Sequence, residues 1–233
     1  MGAVEFINNK NRYCLWLVGA NPNEIKKCPL VYSRIQKVRE FRLKSVAAST
    51  RKIADTPTLF AQIAQPSSDY IVIPRTSSQS RRYVPIGYMS PTVVISDNAQ
   101  GIPNASLFHF GVLNSNVHMA WMRALCGRLK SDYRYSKDIV YNTFPWPTPT
   151  DEQQAKIEQT AQAILEARAL YPDSSLADLY DEVTMPVELR KAHQNNDRAV
   201  MQAYGFPIKD FTESDCVAKL LEMYKTLTEK SRV

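Results

Sequence analysis

Cysteine, histidine and glycine are scarce in this sequence, and their scarcity excludes several classes of protein. The 233 residues include four cysteines, three histidines and seven glycines. No two cysteines form a CxxC pair, so neither a disulfide framework nor a zinc site is expected. We instead expect buried free thiols in a reducing cytoplasm. The four cysteines are Cys14, Cys28, Cys126 and Cys216.

Long apolar runs are also missing. No apolar stretch approaches the roughly 18 residues that are needed to cross a bilayer. Residues 1–12 contain Glu5, Asn8 and Asn9, where a secretory signal needs apolar residues. Phe6 occupies the position at which an N-myristoylation signal has Ser or Thr. The sequence therefore predicts a soluble cytoplasmic protein with no membrane partner.

Catalytic motifs are absent as well. The seven glycines form no glycine-rich turn for S-adenosylmethionine, and the sequence has no HExxH, no GxSxG and no nuclease-like acidic pair. Residues 21–24 follow an apolar run, as the Asn/Asp-Pro-Pro-aromatic loop of amino-methyltransferases does. Here Asn23 and Glu24 replace the second proline and the aromatic ring, so nothing can stack on a flipped base. We interpret residues 21–24 as a helix N-terminus and His118, between two aliphatic neighbours, as a packing histidine.

Charge, by contrast, is abundant and unevenly distributed. Residues 1–144 contain 19 Lys and Arg against 8 Asp and Glu, a net charge of +11, whereas residues 145–233 contain 10 against 15, a net charge of −5. This asymmetry indicates that only the first portion meets a polyanion, although a solvated basic surface is the alternative. Three prolines within residues 145–149 predict a stiff connector. We therefore divide the chain into domains of residues 1–144 and 145–233.

The periodicity of the residues predicts a different architecture for each portion. After the connector, helices are expected from the Thr150-Asp151 cap to about Leu170, from about Pro186 to Gly205, and over about 212–227. Before it, strand-like runs occupy residues 13–18, 70–73, 83–88, 92–95 and 107–110, and helical patterns occupy residues 30–53 and 115–129. The fold class is therefore α+β, a mixed α/β domain followed by a small helical C-terminal subdomain.

Two basic segments are candidates for a nucleic-acid surface. The first, residues 74–83, combines small hydroxyl side chains with arginines, which can donate hydrogen bonds to phosphate oxygens. A solvated hairpin loop is the alternative interpretation. The candidate phosphate contacts of this segment are Arg75, Ser77, Ser78, Arg81 and Arg82.

The second basic segment, residues 127–136, interleaves cations with aromatic rings, as nucleic-acid surfaces often do. Lys130 and Asp132 are two residues apart, so an extended loop would point both side chains to one side. Lys can donate to guanine O6 and N7 and Asp can accept from cytosine N4, so this pair could read one G·C base pair. An exposed salt bridge between them fits the sequence equally well. Arg128 and Arg134 are further candidate phosphate contacts, and Tyr133 and Tyr135 could support the loop or touch sugars.

Short motifs along nearly the whole chain follow the same order as in one known protein family. The sequence resembles the C-terminal part of MmeI-like (type IIL) single-chain restriction–modification enzymes and their DNA adenine methyltransferase relatives. The matching motifs run from Tyr13 to Leu17, Ser77 to Gly87, Phe110 to Gly111, His118 to Arg123, Cys126 to Leu129, Tyr133 to Ser136, Val140 to Pro147, Ser175 to Asp181, Asn196 to Val200 and Ala203 to Phe206.

The resemblance implies a target recognition domain followed by a helical C-terminal region, taken from a bacterial polypeptide that methylates adenine N6 in DNA. It implies that the positions of Lys130 and Asp132 belong to a base-reading pair that varies with the recognition sequence. S-adenosylmethionine, and Mg²⁺ in a nuclease-active parent, would bind upstream domains, so no cofactor is expected here. The expected partners are double-stranded DNA and the methyltransferase core of the same polypeptide.

Two other functions are compatible with parts of the sequence. The acidic C-terminal portion could make the chain a protein-interaction module that docks on the methyltransferase core or on another subunit. A free-standing enzyme is disfavoured, because the chain has no catalytic motif. Binding to random duplex DNA that weakens steeply with salt would favour the DNA-recognition function over the interaction module.

Overall fold

Helices and two small antiparallel sheets alternate along the chain, which confirms the predicted α+β class. The structure, a computed structural model, describes residues 1–230. The strands are β1 (Tyr70–Pro74), β2 (Thr76–Ser77), β3 (Gly87–Met89), β4 (Ala99–Pro103), β5 (Gly127–Leu129) and β6 (Asp132–Arg134). The helices are α1 (Ala3–Ile7), α2 (Pro22–Lys27), α3 (Pro29–Leu43), α4 (Ala48–Lys52), α5 (Leu107–Leu113), α6 (Asn116–Leu125), α7 (Asp151–Ala169), α8 (Leu176–Leu179), α9 (Val187–Ala203) and α10 (Glu213–Lys230), with a π-helical turn at Lys137–Tyr141.

Contacts between residues divide the chain into two compact units, of which the smaller is residues 13–65. This unit begins with a segment that has no helix or strand and then forms α2, α3 and α4. Asn21 caps α2, because its side chain accepts the backbone N–H of Asn23 at 2.9 Å and Pro22 is the first helical residue. The predicted helix N-terminus at residues 21–24 is therefore confirmed.

Two other predictions for the smaller unit are corrected by the structure. Residues 13–18 do not form the predicted strand, because no other segment of the unit pairs with them. The helix predicted over residues 30–53 is interrupted: α3 ends at Leu43 and α4 begins at Ala48. Within α3, Ile35 is buried but Phe41 is 73% exposed.

The larger unit contains residues 1–12 and the chain from residue 66 onward. Its first sheet has the strand order β3-β1-β4, with both pairs antiparallel. β1 is the central strand, and every one of its residues is buried, which explains its continuous apolar run. Ile71 lies opposite Tyr88 on one side and opposite Ile102 on the other. The strand predicted at residues 70–73 is confirmed.

Other short apolar runs were wrongly predicted as strands. Residues 83–86 are buried without a ladder partner, so only the end of the predicted 83–88 run reaches β3. Residues 92–95 form no strand, and residues 107–110 are helical in α5. A run of four apolar residues fits a strand, a buried loop and a buried helix equally well, so its tertiary partners decide which it becomes.

The second sheet has the order β2-β6-β5 and joins distant parts of the sequence. β5 and β6 form a hairpin, and β2 adds to the free side of β6. α6 ends at Leu125 rather than near residue 129, because Cys126 already has extended backbone angles. The predicted last turn of that helix is therefore the first strand of the hairpin.

The helices after the proline-rich connector begin and end close to their predicted positions. Thr150 caps α7 by accepting the N–H of Gln153 at 3.3 Å. α9 begins after Pro186, and Gly205, just beyond its end, has a φ of +68° that favours glycine. α10 extends to Lys230, and the short α8 was not predicted.

One apolar core joins α5 and α6 to the C-terminal helices. Gly111 of α5 lies so close to α7 that a Cβ atom at this position would be 2.7 Å from Ile157 Cγ2. The ring of Trp121 in α6 contacts the rings of Phe144 and Tyr224. Residues on both sides of the connector therefore share one core.

The cysteines differ from the prediction of four buried thiols. Cys216 is buried and Cys126 is half-buried, but Cys14 and Cys28 are exposed. Within residues 1–230, no three His, Cys, Asp or Glu side chains converge on a possible metal site. No helix in the same range is both long and apolar enough to span a membrane.

Candidate nucleic-acid interface

The β2-β6 pairing brings the two basic segments of the sequence together. Ser77 lies opposite Tyr133 and Thr76 lies opposite Arg134 in antiparallel register. Beyond the sheet, the N–H of Tyr135 donates to the carbonyl of Arg75 at 2.8 Å. Residues 74–83 and 127–136, which the sequence analysis treated separately, therefore form one continuous surface.

The tip of the β5-β6 hairpin presents Lys130. Leu129 and Asp132 are paired at the end of the two strands, which leaves Lys130 and Ser131 as the turn. Lys130 is exposed and has a φ of 56°, a left-handed angle that hairpin turns of two residues require. The argument that an extended loop would point Lys130 and Asp132 to the same side is therefore wrong, because the chain turns between them.

Asp132 is held by the other basic segment. One of its carboxylate oxygens accepts the backbone N–H of Gln79 at 3.4 Å, and the residue is half-buried. Among the ion pairs of residues 1–230, none joins Asp132 to Lys130. The exposed salt bridge that the sequence also allowed is therefore not formed, and the Lys130 ammonium extends from the turn without that partner.

Arg128 and Arg134 lie on neighbouring strands of the hairpin. The guanidinium of Arg128 lies over the ring of Tyr133, 4.1 Å from its centre, and donates to the carbonyl of Ser131 at 3.1 Å. Tyr133 is buried beneath it, whereas Arg128 and Arg134 are exposed. Stacking fixes the Arg128 side chain while N–H donors remain available to a ligand.

Two of the predicted contact residues are too deeply buried to meet a ligand at the surface. Ser77 is only 3% exposed, and its hydroxyl has no hydrogen-bond partner. Tyr135 is also buried, and its hydroxyl lies 3.0 Å from Nε2 of His118. The proposals of a phosphate contact for Ser77 and a sugar contact for Tyr135 are corrected accordingly, since these side chains support the sheet from below.

His118 is held neutral by its surroundings. Complete burial lowers the pKa of His118 to about 3, and burial raises the pKa of its partner Tyr135. The ring of Phe144 packs edge-on against the imidazole, 4.6 Å between centres. This environment agrees with the predicted packing histidine and offers no charge to a ligand.

The remaining candidates are Arg75, between β1 and β2, and three residues in the loop after β2. Arg75 donates to the carbonyl of Asp97 at 2.9 Å, and the hydroxyl of Ser78 lies 2.8 Å from that of Ser80. Arg82 is exposed, and its guanidinium lies 5.7 Å from the centre of the Tyr83 ring.

Arg81 differs from Arg82 in the same loop, because burial is the largest effect on its pKa. Burial lowers the pKa of Arg81, and the nearby carboxylates of Asp132 and Asp181 oppose this effect. Its Nε atom is buried and has no hydrogen-bond partner. The side chain lies in a cleft of about 560 Å³ that is also lined by Arg82, Arg123 and Glu213. Arg123 and Glu213 form an ion pair at 2.8 Å, so Arg81 and Arg82 are the cations of the cleft that remain available.

Sequence reasoning missed the buried polar network beneath this loop. The Tyr83 hydroxyl donates to Asp197 at 2.6 Å, and the backbone N–H of Asn116 donates to the other carboxylate oxygen at 2.7 Å. The Tyr83 ring stacks on His193, 4.1 Å between centres. Burial raises the pKa of Asp197 to about 6 against these hydrogen bonds. The sequence did carry one signal for this network. Asp197 lies among the apolar residues of α9, and a buried carboxylate needs hydrogen-bond donors.

Gln79 was also missed. Its role depends on a backbone N–H, which every residue except proline carries, so no sequence signal identifies it. The contact to Asp132 becomes visible only when β2 and β6 pair across more than 50 residues.

Two family models together match nearly the whole chain. Residues 1–148 match the model of the MmeI target recognition domain, and residues 149–231 match that of the MmeI C-terminal domain. The chain therefore belongs to the MmeI family and consists of the target recognition domain and the C-terminal domain of that family. This confirms the resemblance that the ordered motifs indicated.

The chain matches only part of the length of two relatives. DNA methyltransferase A of Bacillus subtilis (strain 168) is 38% identical over 231 residues, which are 99% of this chain and 26% of that protein. The structure of the type IIL restriction–modification enzyme MmeI in complex with DNA matches with 51% identity and a TM-score of 0.96. That match covers 98% of this chain and 30% of the MmeI chain. The chain therefore spans between a quarter and a third of the length of these relatives.

Proposed function

We propose that this chain reads the target sequence for a DNA adenine-N6 methyltransferase of the restriction–modification type, and binds double-stranded DNA through the β2-β6-β5 sheet and the loop of residues 78–82. The observation that carries the proposal is the β2-β6 pairing, which assembles two basic segments into one surface with Lys130 at its exposed tip. The MmeI relative of known structure was solved with DNA, which supports a DNA-facing role.

Lys130 and Asp132 are the proposed base-reading pair. The Lys130 ammonium donates to O6 and N7 of a guanine, and the Asp132 carboxylate accepts from N4 of the paired cytosine. An acid close to phosphates is repelled by them, so Asp132 needs a specific reason to lie on a DNA surface. The Gln79 N–H fixes one carboxylate oxygen and leaves the other free, which suits contact with a base edge.

Exposed and partly exposed cations around this pair are the proposed phosphate contacts. Phosphate contacts set the position and orientation of the protein on the duplex without carrying sequence information. The Ser78 hydroxyl can donate in the same way, because its present partner is another hydroxyl. The proposed contacts are Arg75, Ser78, Arg81, Arg82, Arg128 and Arg134.

We further propose that this chain is not catalytic by itself and that the longer parent polypeptide supplies the chemistry. Asn21 caps α2 with its side chain and is not placed to hold a target amine. S-adenosylmethionine would bind the methyltransferase core of the parent, and Mg²⁺ would bind its nuclease if it has one. Incubation of the chain with labelled S-adenosylmethionine and mixed duplex DNA tests this, and methyl transfer above background by a pure preparation would refute it.

DNA binding is tested by titrating a labelled random duplex with the chain across a salt series. We expect binding at about 50 mM salt and a linear fall of log K with log salt concentration, because cations that contact phosphates release counterions. Lys219→Ala, on the exposed face of α10 and ion-paired with Glu222, is the matched control and should not change the slope. Absence of binding even at low salt would overturn the proposal and favour the interaction module.

A further inference from the structure

Residues 13–65 expose an unusual amount of apolar surface. Of the 20 large apolar side chains that are exposed in the part of the chain described by the structure, 11 belong to this unit. The unit itself buries only two side chains, Ile35 and Ala54. A unit of this size does not stabilise itself with so small a core, and so many exposed apolar side chains in one small unit indicate an interaction surface.

The polar groups of the unit do not identify DNA as the partner. The unit contains nine Lys and Arg against three Asp and Glu, but several of the cations are already bound within it. Arg42 donates to the carbonyls of Ile53, Thr56 and Leu59 at 2.7–2.8 Å. Arg51 donates to the carbonyls of residues 45 and 46 at 2.8 Å. Phosphates would use the remaining lysines and leave the apolar side chains uncovered.

The segment at residues 13–18, which has no helix or strand, is the second feature of this surface. Its composition is that of a strand, yet it forms no ladder within its unit, and the Tyr13 side chain is 89% exposed. A strand-like apolar sequence that lies outside any ladder can add to the edge of another domain's sheet. The surface therefore offers exposed apolar side chains and a segment suited to strand pairing.

We infer that residues 13–65 form the docking surface for the methyltransferase domain of the parent polypeptide, with residues 13–18 pairing as an edge strand. This inference rests on the proposed function. The size of the relatives supports this occupant, because about three quarters of DNA methyltransferase A lies outside the region that matches this chain. A partner in the same polypeptide is always present at high effective concentration, so a large apolar surface need not be soluble alone.

The two exposed cysteines provide a direct test, because Cys14 and Cys28 both lie in the proposed surface. Their rates of alkylation are measured by peptide mapping in the isolated chain and in the parent polypeptide without DNA, with the buried Cys216 as the slow reference. We expect both thiols to react rapidly in the isolated chain and at least about tenfold more slowly in the parent. Equal, rapid rates in the two proteins would overturn the inference.

If something other than the methyltransferase domain covers residues 13–65, the alkylation rates of Cys14 and Cys28 should differ from this expectation. Slow reaction in the dilute isolated chain would show that the chain covers this surface itself. Protection that rises with the concentration of the isolated chain would assign the surface to a second copy. Protection that appears when duplex DNA is added to the isolated chain would assign it to DNA. Each of these three results refutes docking on the methyltransferase domain, and the first two do not depend on whether the β2-β6-β5 surface binds DNA.

A charge placed on the surface gives an independent test. Phe41→Asp should leave the melting temperature of the isolated chain unchanged, because Phe41 is 73% exposed there. In the parent polypeptide the same change should lower the melting temperature and restore rapid alkylation of Cys28, because the carboxylate would be buried against an apolar partner. Val183→Asp, at a side chain that is 92% exposed outside this unit, is the matched control and should change neither protein. An unaltered parent with Phe41→Asp would contradict the inference.

Discussion

The guanidinium of Arg128 lies 4.1 Å from the centre of the Tyr133 ring, and this stack links the outer strand of the hairpin to its central strand. Tyr133 also lies opposite Ser77 of β2, so the ring sits where the two basic segments meet. Tyr133 therefore supports both the exposed Arg128 guanidinium and the pairing of β2 with β6.

Tyr133→Leu should weaken binding of the chain to duplex DNA by roughly 2–5-fold, because an exposed cation–π contact is worth about 0.5–1 kcal/mol. The loss should be equal for all duplex sequences, since Arg128 is a proposed phosphate contact and phosphates carry no sequence information. Fluorescence anisotropy with several duplexes measures it. Tyr135→Phe is the control, because it removes a hydroxyl that bonds to His118 below the surface, and it should leave the affinity unchanged. A larger effect of Tyr135→Phe would contradict the assignment.

Arg81→Ala and Arg82→Ala should each weaken DNA binding alike across sequences. Each removes one proposed phosphate contact, so the slope of log K against log salt concentration should fall by about one. Lys219→Ala serves as the control for a general change in charge. A changed sequence preference with an unchanged salt slope would assign the two arginines to bases instead.

Gly111→Ala should destabilise the chain by about 1–3 kcal/mol, because the added methyl group has no space. Its Cβ atom would lie 2.7 Å from Ile157 and 3.0 Å from the side-chain oxygen of Asn196. Gly127→Ala is the matched control, since nothing lies within 4 Å of the Cβ position there. Urea unfolding of the two variants measures the difference. Equal midpoints would show that α5 and α7 are not in close contact.

Asp197→Asn should change how the stability of the chain depends on pH. Burial raises the pKa of Asp197 to about 6, so the folded protein retains a proton that the unfolded chain releases near pH 4. The free energy of unfolding of the wild type should therefore fall, relative to the variant, by roughly 2–3 kcal/mol as pH rises from 4 to 7, and stay level above pH 7. The buried histidines titrate in both proteins, so their contribution cancels in the difference. A difference that does not vary with pH would refute the raised pKa.

Local signals predicted the helical half of the chain well and the strands poorly. The boundaries of α7 and α9 follow from a capping threonine, a proline and a glycine, whose effects operate within a few residues. A strand forms only when another segment pairs with it. The local sequence therefore does not show that residues 13–18 have no partner in their unit, or that residues 107–110 are helical.

The candidate site shows the same division between local and non-local information. Composition alone identified both basic segments, because cations, hydroxyls and aromatic rings are local properties. Their pairing into one sheet, and the contact between Gln79 and Asp132, depend on closing a loop of more than 50 residues. Ser77 and Tyr135 are buried as a result of that pairing, so the sequence alone did not predict their burial.

Exchange of the charges at Lys130 and Asp132 tests the central claim most directly. The double variant Lys130→Glu with Asp132→Arg is made in the parent polypeptide, and the sites that it modifies or cleaves in DNA are mapped. The new acid would accept from cytosine N4 and the new arginine would donate to guanine, so we predict reversed preference at one G·C base pair. Each single change should mainly lose activity, because it leaves one mismatched contact that costs about 1–3 kcal/mol. An unaltered recognition sequence with retained activity would contradict the assignment of these two residues to base recognition.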